Sequence, residues 1–171
     1  VIERNNLRGS KDVLEDLLDI LASSVGSLTN TTKLENTFKS ERKVNISHNT
    51  ISAYIDCFID AFILKKAARY DIKGRKYIGA QQKYFYSDMG LRNARLNFRQ
   101  QEESHIMENI IYNELTARGF SVDVGVVETT VANAAGKRQR SLLEVDFVCH
   151  RGHACYYIQS ALTVAEESKR L

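Results

Sequence analysis

The sequence predicts an α+β fold, helical at first and strand-rich toward its end. Two observations carry that prediction. Leu14, Leu17, Leu18 and Leu21 recur at helical spacing, as do Ile51, Ile55, Phe58 and Phe62. Val122, Val124 and Val126 instead alternate with Asp123 and Gly125, the pattern of a half-buried strand. The 171 residues, 43% hydrophobic and 26% charged, suffice for one ordinary domain or two small ones of globular type.

The elements follow in order. Ser10 is placed to cap a first helix with Asp12 in its opening turn, and Gly26 closes it. Thr32-Lys33-Leu34-Glu35 has the capping-box pattern and starts a short second helix through Phe38. A charged connector, Ser40 to Lys43, precedes a third helix from about Ser47 to Phe62. Ile63 to Tyr70 and Lys83 to Tyr86 then read as a hairpin, with Gly74 supplying the turn at Asp71-Ile72-Lys73-Gly74. Asp88 to Asn93 ends the hairpin, and a polar stretch leads across a domain boundary near Gln100. A helix from Ser104 to Arg118 carries Met107, Ile110, Ile111 and Leu115 on one face and stops at Gly119. The strand after it meets a loop, Val131 to Arg140. In the next strand Leu143, Val145, Phe147 and Cys149 point one way, and Glu144, Asp146 and Val148 the other. A turn at His150-Arg151-Gly152-His153 leads to a third strand, in which Tyr157, Gln159 and Ala161 share a face. A last helix begins near Ala165.

Three helices followed by a basic hairpin make a winged helix-turn-helix. His48, Asn49, Thr50 and Ser52 stand where a recognition helix presents base-reading side chains. The net charge is only +3, but Lys65, Lys66, Arg69, Lys73, Arg75 and Lys76 fall within twelve residues against the single acid Asp71. Such a wing would contact DNA phosphates, with a steep dependence on salt. The competing reading is that the polar residues are helix caps, that the lysines are solvated, and that the unit docks a protein partner.

Cys57, Cys149 and Cys155 form no CxxC pair and read as free thiols of a reducing compartment rather than a zinc site. No apolar run reaches membrane-spanning length and no secretory signal opens the chain, so the expected location is cytoplasmic, with no membrane partner. The absence of Gly-x4-Gly-Lys-Ser/Thr excludes a P-loop nucleotide site in this stretch. Opening at Val1 and stopping at Leu171 inside a helical pattern, the sequence reads as a fragment of a longer protein.

Arg69-Tyr70-Asp71-Ile72-Lys73-Gly74, Tyr86-Ser87-Asp88-Met89-Gly90-Leu91-Arg92-Asn93, Glu108-Asn109, Glu144-Val145-Asp146-Phe147 and Tyr157-Ile158-Gln159 occur in that order. Together they resemble the C-terminal region of a bacterial and archaeal AAA-type ATPase family. In that family a P-loop ATPase precedes a winged helix and a nuclease-like domain. The resemblance implies residues 1–9 leaving the ATPase module, a winged helix over 10–99, and a C-terminally incomplete nuclease-like domain over 100–171. ATP would then be bound only by the module outside this sequence.

The second unit also resembles the PD-(D/E)XK nucleases, of restriction-endonuclease-like fold. The resemblance makes Glu108 the helical acid, Asp146 the strand acid and Gln159 the replacement for the second acid. Hard oxygen ligands of this kind hold Mg²⁺, which activates water while a lysine offsets charge on the phosphate. Here Glu108 and Asp146 would be the metal ligands, but Ala161 stands where the lysine belongs. The plainer alternative pairs Asp146 with a basic residue across the sheet and leaves Glu108 on the surface. The leading expectation is therefore a non-catalytic module recognising DNA or a protein partner. Mg²⁺-dependent cleavage through Glu108, Asp146 and Gln159, and docking without nucleic acid, are the alternatives. An unfinished sheet edge further predicts homo-oligomers.

Overall fold

The helices form where the apolar spacing places them. In the computed structural model, which describes residues 11–99, 102–132 and 138–163, α1 spans Lys11–Ser23 and buries Leu14, Leu17, Ile20 and Leu21. The expected cap at Ser10, the boundary at Gln100 and the helix from Ala165 lie outside the described residues. Helix α2, Thr31–Thr37, starts two residues earlier than the capping box suggested. Asn30 is its cap, its side chain accepting from the Lys33 N–H at 2.7 Å. The chain continues into a π-helical turn, Phe38–Arg42, where a connector was expected. Helix α3, His48–Asp60, is capped by Ser47 and buries Ile51, Tyr54, Ile55 and Phe58.

Strands β1, Leu64–Asp71, and β2, Lys76–Tyr86, form the expected hairpin. Its turn is built differently from the sequence expectation. Asp71 Oδ1 accepts from the N–H groups of Lys73 and Gly74, and the left-handed residue is Arg75, with φ of 51°, rather than Gly74. A helix not anticipated, α4 (Met89–Arg95), follows and is capped by the Asp88 carboxylate. Helix α5, Glu103–Ala117, leads into β3 (Ser121–Ala132), β4 (Arg138–Arg151) and β5 (Ala154–Ile158).

The hairpin does not stand apart as a wing. It lies in one five-stranded sheet of order β2-β1-β3-β4-β5. β1 runs parallel to β3 through Arg69, Tyr70 and Asp71, while the other neighbours are antiparallel. The sheet therefore crosses the boundary expected near Gln100, and so does the core. Phe85 of β2 stacks on Tyr112 of α5 with ring centroids 4.1 Å apart, and both rings meet Phe147 of β4. Asn109 of α5 accepts from the Tyr86 N–H and donates to the Tyr86 carbonyl, both at 2.8 Å. That amide occupies the outer edge of β2. Farther along the same edge, Gly26 N–H donates to the Tyr84 carbonyl, and Thr29 exchanges backbone bonds with Gln82.

Candidate functional site

Glu108 sits on the face of α5 turned toward the sheet and is buried, which removes the reading of it as a surface carboxylate. A buried carboxylate needs a partner, because desolvation of an isolated charge is costly. The partner is Lys83, from the middle of β2. Its ammonium lies 2.5 Å from Glu108 Oε1 and 2.7 Å from Glu144 Oε1, and only 5% of the side chain is exposed. Directly across the ladder from Lys83 is Ala67, whose small side chain leaves room beside the lysine stem.

The strand acids reach this point because β4 is bulged. Asp123 pairs with Val148 and Gly125 with Val145, so Asp146 and Phe147 together oppose the single residue Val124. Strict alternation had put Asp146 and Phe147 on opposite faces. A bulge turns both toward the side of the residue they oppose, and it brings Glu144, opposite Val126, to that side as well. Oxygen atoms of Glu108, Glu144 and Asp146 consequently lie within 4.8 Å of one another. Asp146 is fixed from β5's end: its Oδ2 accepts from Ser160 N–H at 2.7 Å and Ser160 Oγ–H at 2.6 Å. Gln159 adds a long contact, its Oε1 accepting from the Asp146 N–H at 3.4 Å. Gln159 thus contacts the backbone of Asp146, and Ser160 holds its carboxylate.

The electrostatics of the cluster are uneven. Burial holds Glu108 above the ordinary carboxylate range, and Asp146 and Glu144 push the same way. Lys83 opposes them without prevailing. Burial alone would lower the Lys83 ammonium, but two carboxylate hydrogen bonds raise it on balance. The asymmetry has a simple origin: the lysine has two partners, and the acids share one lysine. Three carboxylates against one ammonium leave a formal −2, the charge a divalent cation cancels. Hard oxygen donors in that number suit Mg²⁺.

The residues expected to read DNA do not gather in one place. His48 is tied to Glu35 through its backbone N–H at 3.1 Å and its ring at 3.3 Å. Thr50 donates its N–H to Ser47 Oγ as part of the cap, and Asn49 is exposed. Ser52 and Lys66 line a cleft of about 220 Å³ together with Asp56 and Gln82. Lys65 points toward α5, donating to Thr116 Oγ1, and Arg69 donates to Gln81 Oε1. Lys73 reaches the Glu128 carbonyl, while Arg75 and Lys76 are exposed at the hairpin turn. Alternation along β1 thus sends Lys65 and Lys66 to opposite sides.

Sequence reasoning missed Lys83, Glu144 and Ser160 as members of the site. A signal existed for Lys83: it is the lone charge in the run Gln82-Lys83-Tyr84-Phe85-Tyr86.

An α+β protein with a buried lysine–carboxylate cluster at a bulged interior strand is the class these observations define. Residues 3–102 match the family described as "Domain of unknown function (DUF8612)", and the chain belongs to that family. It is also 36% identical over 162 residues to an "Uncharacterized protein" of Haemophilus influenzae (strain ATCC 51907 / DSM 11121 / KW20 / Rd). That similarity covers 94% of this chain and 37% of the relative, so the chain spans little more than a third of the relative's length. No solved structure matches. Among the described residues, no helix is long and apolar enough to cross a membrane.

Proposed function

We propose that this chain is the nucleic-acid-processing module of a longer AAA-type ATPase, and that its carboxylate cluster is a divalent-cation-dependent phosphodiester-cleaving centre of nuclease type. The observation that carries this reading is the position of Lys83. Ala161 left the site without a cation, and Lys83 brings one to the carboxylates from another strand. Glu108, Glu144 and Asp146 would hold Mg²⁺, which when bound supplies an activated water and a polarised phosphoryl oxygen. Ser160 keeps Asp146 oriented. Lys83, itself almost wholly buried, offsets negative charge from the low-dielectric side of the site, where a fixed cation counts for more than in solvent. The helix-turn-helix reading of α1–α3 belongs with this proposal as the part that would position the duplex.

The test is incubation of the purified chain with labelled duplex and branched DNA, with Mg²⁺ or Mn²⁺ and with EDTA. Cleavage that requires the metal and falls at least about 100-fold in both Asp146→Asn and Lys83→Met is the expected result. Cleavage unchanged in Asp146→Asn would sink it.

A second reading has its own support. Lys83 already pairs with two of the acids and Ser160 holds the third, so every acid has a partner without a metal and the cluster could serve only to hold α5 against the sheet. On that reading the chain recognises DNA or a protein partner and leaves DNA intact. Salt-sensitive DNA binding without cleavage would favour it, because counterion release requires phosphate contacts.

A further inference from the structure

Helix α5 packs on one side of β3 and β4. The other side carries a set of aromatic rings that the carboxylate site does not use. Directly paired residues share a face, so the register Tyr77–Tyr70, Tyr70–Gly125 and Val148–Tyr157 can be followed across the sheet. Gly125 links the series. A Cβ there would come within 3 Å of Val148, Val145 and Ile72, which places those three on the same side. Tyr70 is central: its ring meets Tyr77 edge-on at 5.5 Å and His150 edge-on at 5.7 Å. The Tyr157 phenol is held above its usual range first by a hydrogen bond with Cys155, with Tyr70 adding to the shift and Arg75 opposing it. Tyr157 therefore lies within electrostatic reach of both.

Accessibility and charge indicate the occupant. Tyr77 is 64% exposed and Tyr157 58% exposed, so both offer ring surface to solvent. Among the described residues, the acid at these rings, Asp123, is buried and accepts from the Tyr77 hydroxyl at 3.0 Å. Exposed Arg75 stands at the hairpin turn beside the rings, near enough to act on the Tyr157 phenol. Rings beside a cation, with the carboxylate hidden, suit a ligand that offers flat π-faces on a polyanionic thread. A duplex conceals its base faces; a single strand presents them.

We propose that this side of the sheet binds single-stranded nucleic acid, with Tyr77 and Tyr157 stacking bases and Arg75 contacting phosphate. The site is separate from the carboxylate cluster, on the opposite face, and does not depend on cleavage there.

The chain has eight tyrosines and no tryptophan, so quenching of tyrosine fluorescence reports stacking directly. The full chain is titrated with oligodeoxythymidylate, with oligouridylate and with a duplex of equal length, at low and moderate salt. Saturable quenching by either single strand, stronger than by the duplex, is the expected result, and the preferred strand identifies DNA or RNA. By anisotropy of labelled oligonucleotide, Tyr77→Ala and Tyr157→Ala each weaken binding roughly 5- to 100-fold, as loss of one stacked base does. Tyr157→Phe, which keeps the ring, stays within about two-fold of wild type. The titrations are run in EDTA and give the same binding there, so failure of the cleavage reading leaves this one standing. The proposal is overturned by preference for the duplex, by alanine variants that bind normally while their circular dichroism is native, or by absence of binding at low salt. Self-association through Tyr77 and Tyr157 in the absence of oligonucleotide, lost in the same alanine variants, would assign the face to a second copy instead.

Discussion

Lys83 is the residue on which most of the site depends. Its ammonium has two carboxylate partners, and a third carboxylate lies within the same cluster. Lys83→Met keeps the bulk of the stem but leaves three acids without their cation. Breaking a buried pair from one side costs about 3–5 kcal/mol, which should appear at neutral pH as a lower urea midpoint. As pH falls through the raised Glu108 value the deficit should shrink. Added Mg²⁺ or Ca²⁺ should raise the midpoint of Lys83→Met more than that of the wild type, since the cation replaces the missing charge. Absence of any divalent effect in either protein would count against a metal site. Glu108 gives a second, pH-resolved outcome. Its folded pKa lies above the unfolded one, so the folded state binds more protons in between. Stability from this group is therefore present at low pH and lost as pH rises through the folded value, by at most about 1.4 kcal/mol per pH unit. Glu108→Gln should accordingly lose less stability than wild type as pH rises from the ordinary carboxylate range through the raised folded value, read in urea titrations. Lys83 runs the other way in range: its raised pKa means its contribution is fully present below the unfolded lysine value and fades only at alkaline pH.

The element that decides the site is β4. Its bulge sets Asp146 and Phe147 against Val124, so a carboxylate and an aromatic ring that are neighbours in sequence reach the same side. Gly125 lies immediately beyond that bulge and leaves no room for a side chain. A Cβ would approach Val148 Cγ2 to 2.7 Å, Ile72 Cδ1 to 2.9 Å and Val145 Cβ to 2.9 Å. Gly125→Ala should therefore cost about 1–3 kcal/mol by overpacking, read as a shift in denaturation midpoint. A divalent-cation titration of the variant then shows whether β4 still presents its acids. The helices were legible because apolar spacing survives in any context, and Glu108 and Asp146 were legible as acids in helix-then-strand order. Lys83 was not, because nothing local links a lysine in β2 to a carboxylate 25 residues later. Glu144 and Asp146 were placed on one face correctly, but strict alternation set Phe147 on the other. The bulge that unites them is a property of the pairing with β3, which β4's own pattern does not contain. Helix α4 was hidden for a related reason: Met89–Arg95 is short and polar, and its stability comes from the Asp88 cap and from buried Arg92, which donates to the Ala22 carbonyl.

At the scale of the molecule, the aromatic core joins what the sequence reads as two units. Phe85, Tyr112 and Phe147 come from β2, α5 and β4, and β1 hydrogen-bonds to β3. Urea unfolding should then follow a single transition, with far-ultraviolet circular dichroism and tyrosine fluorescence coincident. A fragment ending at Arg99 would expose Phe85 and the backbone of Tyr86, and should show no cooperative transition of its own. Two resolved transitions, or an independently folded fragment, would restore the two-unit reading.

The margins of the sheet differ from each other. Along β2 every outward backbone group described above is already engaged: Gln82 by Thr29, the Tyr84 carbonyl by Gly26, and Tyr86 by the Asn109 amide. Among the described residues β5 has a neighbour only in β4. Among the described residues, the Gln82–Tyr86 end of β2 is therefore closed to a lent strand, while the outer margin of β5 is not. Two copies paired edge to edge through β5 would meet about a two-fold axis, a contact that closes on itself.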